Sequence, residues 1–187
     1  MNFSAVILAG GKSSRMGRDK AFLELDGKPL LARQIQTVRE AGAGEVFISG
    51  RADMDYSEPV CRVLADQFSG AGPLAGIHAG LNAATTPLLL VLAVDLVEMD
   101  STFLRELTQA GTGVIPRVAG KIEPLAAAYP GKGASLAELM LREGKFAVRD
   151  FAEACVQAGL AKFADFPVTT SSRFHNLNSP ADLPCLT

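Results

Sequence analysis

Between Ala5 and Lys20 an apolar run ends in Gly10 and Gly11, and Lys12, Arg15, Gly17, Arg18 and Lys20 follow at once. Glycines let backbone N–H groups approach a ligand closely, because no Cβ stands in the way. Successive N–H groups in such a loop form a concavity that binds anions. Arg grips phosphate oxygens in pairs, while Lys acts as a compact point charge. Several cations beside a Gly-rich loop suit a nucleotide triphosphate. The spacing is not that of a Walker A loop: five residues separate Gly11 from Gly17, and Arg18 follows, where that loop requires Gly-Lys-Ser/Thr. Adjacent glycines also exclude the G-x-G-x-x-G dinucleotide fingerprint. A Gly-rich turn flanked by solvated cations is the competing reading.

Asp95 closes the most apolar segment of the chain, Leu88–Val94. In open α/β sheets ligands gather at the carboxyl ends of strands, where a carboxylate is costly unless paired or bound to a metal. Magnesium takes oxygen ligands and is commonly held by one or two carboxylates together with substrate phosphates. Asp95 is therefore a candidate magnesium ligand; the plainer alternative is an Asp that caps a turn. Gly70, Gly72 and Gly76 would let the chain pass close to an acceptor or a ribose. Asn176 and Asn178 occupy alternate positions of a predicted strand, Phe174–Asn178, which puts both amides on one face. From there they would orient an acceptor phosphate or offer carbonyl oxygens to magnesium, or simply end a polar strand. His78, between Ile77 and Leu81, reads as a packed or surface histidine.

Leu8-Ala-Gly-Gly-x-Ser-x-Arg-Met-Gly-x-Asp-Lys20 resembles the signature loop of GT-A type nucleotidyltransferases, and within them that of the molybdenum cofactor guanylyltransferases. Gly72-Pro-Leu-Ala-Gly76, Val94-Asp95 and Asn176-Leu-Asn-Ser-Pro180 agree with the same family, so the resemblance spans nearly the whole chain. It implies a single α/β/α Rossmann-like domain over residues 1–187, with a mostly parallel mixed sheet. It implies guanylyl transfer from GTP to molybdopterin with release of pyrophosphate, and Mg2+ as cofactor. Arg15, Lys20 and Asp95 fall where the family places catalytic residues. Leu8, Ala9, Gly10, Gly11, Lys20, Ser49, Asp66 and Asp95 fall on the nucleotide side. Gly72, Gly76, Glu123, Asn176 and Asn178 fall on the acceptor side. Two positions depart from the pattern: Val97 stands where the family usually has Pro, and Ser49 where it often has Asn. Cofactor-insertion chaperones and acceptor molybdoenzymes are the partners the resemblance implies.

The elements that must carry these residues alternate strand and helix, as a parallel sheet covered on both faces requires. Strands are predicted at Phe3–Leu8, Glu45–Ser49, Cys61–Ala65, Leu88–Val94 and Ala161–Phe166. Helices are predicted from Pro29 to about Gly42, from Pro73, from Asp100 or Ser101, and through Val148, Phe151, Ala152 and Cys155. Gly113–Arg117 and Pro124–Tyr129 read as a hairpin around Ala119-Gly120. Ser135-x-x-Glu138 reads as a capping box, and Ser179-Pro-Ala-Asp182 as a short helix start.

With 187 residues, 48% hydrophobic and 20% charged, the chain suits one ordinary globular domain. A net charge of −2 provides no basic footprint for nucleic acid. No stretch reaches the roughly 20 apolar residues that span a bilayer, and no signal-peptide pattern opens the chain. Cys61, Cys155 and Cys185 are scattered, which fits reduced cytoplasmic thiols. Two other functions remain open. One is nucleotidyl transfer to another acceptor, cytidylyl or sugar/polyol phosphate; the other is a non-catalytic nucleotide-binding regulator.

Overall fold

The computed structural model describes residues 2–10, 20–51, 54, 56, 61–65 and 67–177. Gly11, Arg15, Asp66, Asn178 and the predicted Ser179–Asp182 helix start lie outside the described residues. Strands β1 (Ser4–Leu8), β2 (Glu24–Leu25), β3 (Lys28–Pro29), β4 (Glu45–Ser49), β5 (Arg62–Leu64) and β6 (Leu88–Ala93) belong to the first half. Strands β7 (Gly113–Val118), β8 (Lys121–Ile122), β9 (Ala126–Pro130) and β10 (Ala161–Phe166) belong to the second. Helices α1 (Leu30–Ala41), α2 (Pro73–Ala83), α3 (Ser101–Gln109), α4 (Ala134–Arg142) and α5 (Val148–Gln157) lie between them.

The main sheet has the order β10-β7-β9-β6-β1-β4-β5. β1, β4, β5 and β6 are parallel neighbours, and β9 is inserted antiparallel between β6 and β7. The expected mostly parallel mixed sheet is present. Every residue of β1 and β6 is buried, so these strands carry apolar side chains on both faces, as central parallel strands must. Ala5 and Ile7 pack in one cluster with Leu31, Ile35 and Val38 of α1 and Leu104 of α3. Val6 and Leu8 pack in the other with Leu74 of α2, Leu141 of α4 and Phe151 of α5. Helices thus cover both faces, in three layers.

Local signals explain the element ends. α1 stops at Gly42, at φ 105°, whose N–H turns back onto the last helical carbonyls. Pro73 opens α2 after Gly72, at φ 67° and ψ −154°, a conformation essentially confined to glycine. Asp100 caps α3 by accepting the Phe103 N–H at 2.8 Å.

Three predicted features differ. Ser135 and Glu138 form no capping box, because a 3₁₀ turn (Gly131–Gly133) runs straight into α4 and leaves Ser135 inside the helix. Glu138 pairs outward with Arg142 instead. The hairpin around Ala119-Gly120 leads first into β8, which pairs with Arg117 and Val118. Glu123 still donates its N–H to Pro116 O at 2.9 Å, and Pro124 and Leu125 then turn away from β7 before β9 resumes opposite Val114. Pro124 has no N–H to give a ladder, so the return strand breaks there. Finally, Phe174–Asn178 is not a strand over its described part. A 3₁₀ helix (Val168–Phe174) occupies its start, favoured by the Thr170 hydroxyl and N–H both bonding the Pro167 carbonyl. Beyond it one bond, Leu177 N–H to Asp95 O at 2.9 Å, replaces a ladder.

Candidate active site

Parallel register brings Leu8 level with Ser49 on one side and with Ala93 on the other. The loops leaving β1, β4 and β6 therefore emerge side by side. Ala9 and Gly10 both donate their N–H groups to the Ser49 carbonyl, at 2.8 and 3.1 Å. Those two donors are thus engaged by the neighbouring strand end. A Cβ built on Gly10 would meet the Gly50 carbonyl carbon at 3.6 Å, an ordinary van der Waals contact, so packing against Gly50 does not by itself require glycine there.

Lys20 begins a 3₁₀ turn (Lys20–Phe22) and reaches across the strand ends to Asp95. Its Nζ lies 3.1 Å from Asp95 Oδ2, and the two side chains are only 18% and 19% exposed. An ion pair at this depth is less screened than a surface pair, and about a fifth of each side chain remains exposed. The Val94 N–H donates to Leu8 O at 3.1 Å, which anchors the turn carrying Asp95 to the end of β1.

Ser49 is buried, and a Cβ built on Gly76 would run into its Oγ, with Leu8 Cδ2 at 2.9 Å. Gly76 is thus the point where α2 closes onto β1 and β4. His78, two residues further along α2, is buried; its Nε2 lies 2.8 Å from Asn82 Nδ2, and burial lowers its pKa. It faces Phe68 edge-on, not the strand ends.

On the other side of Asp95 a groove of about 390 Å³ is lined by Leu96, Glu123, Pro124, Phe146, Phe174 and Asn176, among others. Its volume is that of a small-molecule site. Glu123 arrives there because the return strand breaks at Pro124, and a break of this kind re-aims a side chain. It pairs with Lys121 Nζ at 2.8 Å and is 15% exposed. The break is secured from below: the buried Tyr129 hydroxyl donates to Pro124 O at 2.9 Å. Burial holds that phenol well above its ordinary pKa, so it remains a donor. Gly72 is exposed just before Pro73, which borders the same groove.

The segment bearing Asn176 is strapped down by Arg173, whose Nε donates to Asp100 Oδ2 at 2.6 Å while its guanidinium lies over Phe103. Burial alone would raise the Asp100 pKa, but the Phe103 N–H and Arg173 outweigh it and hold the carboxyl low.

Lys20, Asp95, Leu8, Ala9, Gly10 and Ser49 are thus gathered on one side, and Glu123 and Asn176 on the other. Phe146 went unremarked in the sequence, although it precedes a helix by two positions. An apolar residue there usually packs onto the first turn, whereas Phe146 is 45% exposed and turned to the groove.

A mixed sheet of this order, with a cation and a carboxylate facing each other where its parallel strands end, is accompanied by matches that make the protein a nucleotidyltransferase. The match to known proteins is specific. The MobA-like NTP transferase domain family matches residues 5–160, and the chain belongs to it. A relative from Opitutus terrae named "Probable molybdenum cofactor guanylyltransferase" is 40% identical over 185 residues, covering 96% of this chain and 92% of its own. A molybdenum cofactor guanylyltransferase of Yersinia pestis is 32% identical, covering 97% and 93%. The crystal structure of molybdopterin-guanine dinucleotide biosynthesis protein A from Archaeoglobus fulgidus superposes with a TM-score of 0.76 at 24% identity, over 98% and 95% of the two chains. It shares the fold.

Proposed function

We propose that this enzyme moves GMP from GTP to the terminal phosphate of molybdopterin, giving molybdopterin guanine dinucleotide and pyrophosphate. The observation that carries the reading is the Lys20–Asp95 pair at the strand ends, in a chain 40% identical to its relative across 96% of its length. An oxygen of the acceptor phosphate attacks the α-phosphorus, and the bond to the bridging oxygen of the β-phosphate breaks. The nucleophile is already ionised, so no general base is required. Positioning and charge neutralisation supply the rate. In this reading Lys20 neutralises triphosphate charge and Arg15 assists it. Leu8, Ala9, Gly10, Gly11, Ser49 and Asp66 shape the nucleotide side. Glu123, Asn176 and Asn178 hold the acceptor, Gly72 gives it room, and Gly76 acts through packing.

No cluster of three or more metal-ligating side chains occurs among the described residues. A single carboxylate beside a phosphate site nevertheless fits Mg2+, which usually completes its shell with water and substrate oxygens. Asp95 would hold it. Bound there, Mg2+ would withdraw charge from the phosphates. We further read residues 1–187 as one domain working in the cytoplasm, with the product passed to cofactor-insertion chaperones or molybdoenzymes. Among the described residues no helix is long and apolar enough to cross a membrane.

Thermal-shift titration with GTP, CTP, UTP and ATP, each with Mg2+, tests the assignment, because a ligand that binds only the folded form raises its melting temperature. GTP should give the largest shift. An equal or larger shift with CTP would overturn the guanylyl assignment.

A further inference from the structure

Gln34 is a buried amide in an otherwise apolar face. It stands on α1 with Leu30, Leu31, Ile35 and Val38, all buried, and is itself 2% exposed. Its Nε2 donates to Leu96 O at 2.7 Å and lies 3.5 Å from Val94 O. These are the carbonyls on either side of Asp95. Carbonyls only accept, so the N–H end of the amide must face them. Oε1 is left buried with no partner among the described residues. An unpartnered buried oxygen is a cost that Met or Leu at this position would avoid. Packing alone therefore does not explain an amide here; its donors do.

Those donors add to a set of bonds around Asp95. Val94 N–H is held by Leu8 O, Leu96 N–H by Ala93 O, and Asp95 O by Leu177 N–H. The carbonyls of Val94 and Leu96 are what Gln34 reaches. We infer that Gln34 is a positioning residue that clamps the Val94–Leu96 turn, so that the Asp95 carboxylate is presented toward Lys20 and the phosphate site. The inference rests on the reading of Asp95 as the holder of a divalent cation. Groups that orient a metal-bearing carboxylate typically change metal affinity or activity by about 10–100-fold when removed.

The test compares Gln34→Met, Gln34→Glu and Asp95→Asn with wild type. Mn2+ binding in the presence of GTP, without acceptor, is followed by electron paramagnetic resonance, alongside melting temperature. Met keeps the volume and removes the orphan oxygen, so Gln34→Met should melt close to wild type yet bind Mn2+ about 10-fold more weakly. A buried Glu is driven to its protonated form and regains one donor, so Gln34→Glu should bind Mn2+ with intermediate affinity. It also serves if Gln34→Met does not fold. Wild-type Mn2+ affinity in the folded Gln34 variants, with binding lost in Asp95→Asn, overturns the clamp and leaves the Asp95 reading standing. A lowered melting temperature with unchanged Mn2+ affinity also overturns it, since the role is then structural only. Unchanged Mn2+ binding in Asp95→Asn overturns the Asp95 reading itself, and the clamp with it.

Discussion

On one side of Asp95 the site is made by parallel strands that end level with one another; on the other it is made by a strand that breaks. The first side, β1 with β4 and β6, places Leu8, Ser49 and Ala93 in one row by register alone. Its loops are held by backbone bonds, and small residues set how close they come. The second side depends on Pro124 interrupting the return strand, on Tyr129 pinning the break, and on Arg173 strapping a 3₁₀ segment. A regular sheet edge suits what every nucleotide shares, its phosphates. An irregular edge supplies individually aimed side chains, which suits the partner that distinguishes one transferase from another.

The comparison breaks first at Lys20. If that side of the site neutralises phosphate charge, Lys20→Ala should lower turnover by on the order of 10²-fold or more. Lys12→Ala should do far less, and equal losses would mean that bulk charge suffices. Next comes packing. Gly76→Ala drives a Cβ into Ser49 and Leu8, and overpacking of this kind costs about 1–3 kcal/mol, measurable by denaturant unfolding. Adding Ser49→Gly should recover part of it, because the two sites are in contact.

The proposed acceptor side is sharpened by Glu123→Gln or Phe146→Ala. Either should raise the acceptor KM about tenfold and leave the GTP KM unchanged, as loss of binding to one substrate requires. A parallel rise in both would erase the division. The smallest effect belongs to the strap. The folded pKa of Asp100 lies below its ordinary 3.8, so its contribution is present above that value and is lost as pH falls through the folded pKa. Asp100→Asn, which still caps α3, should cost under about 1 kcal/mol at neutral pH. The difference from wild type should vanish in strong acid.

Legibility followed the same division. β4 and β10 fall where their residues predict, at Glu45–Ser49 and Ala161–Phe166, the first on the apolar run 46–48 and the second on a mixed polar and apolar segment that suits the edge of the sheet. Lys20 and Asp95 were legible as site candidates because a strand end and a short motif carry them. The hairpin of β2 and β3 was not anticipated, although Asp26 and Gly27, at φ 54° and 70°, make the Asp-Gly pair that favours such turns. Strands of two residues carry too little periodicity to register. The 3₁₀ helix over Val168–Phe174 was hidden for another reason: its conformation comes from side-chain bonds to the backbone and from Arg173 reaching Asp100, which no local period reports. Gln34 was invisible among its apolar neighbours, since its partners lie on a different element.

Asp95 joins the two sides, and pyrophosphate release with GTP and molybdopterin, followed against Mg2+ concentration, tests it most directly. Asn preserves the volume and can still cap a turn, but it lacks the charge that holds a hard dication. Wild type should form molybdopterin guanine dinucleotide with a defined Mg2+ optimum. Asp95→Asn should lose most of that activity at an unchanged melting temperature. Normal turnover of the variant at the wild-type Mg2+ optimum would contradict the assignment of Asp95.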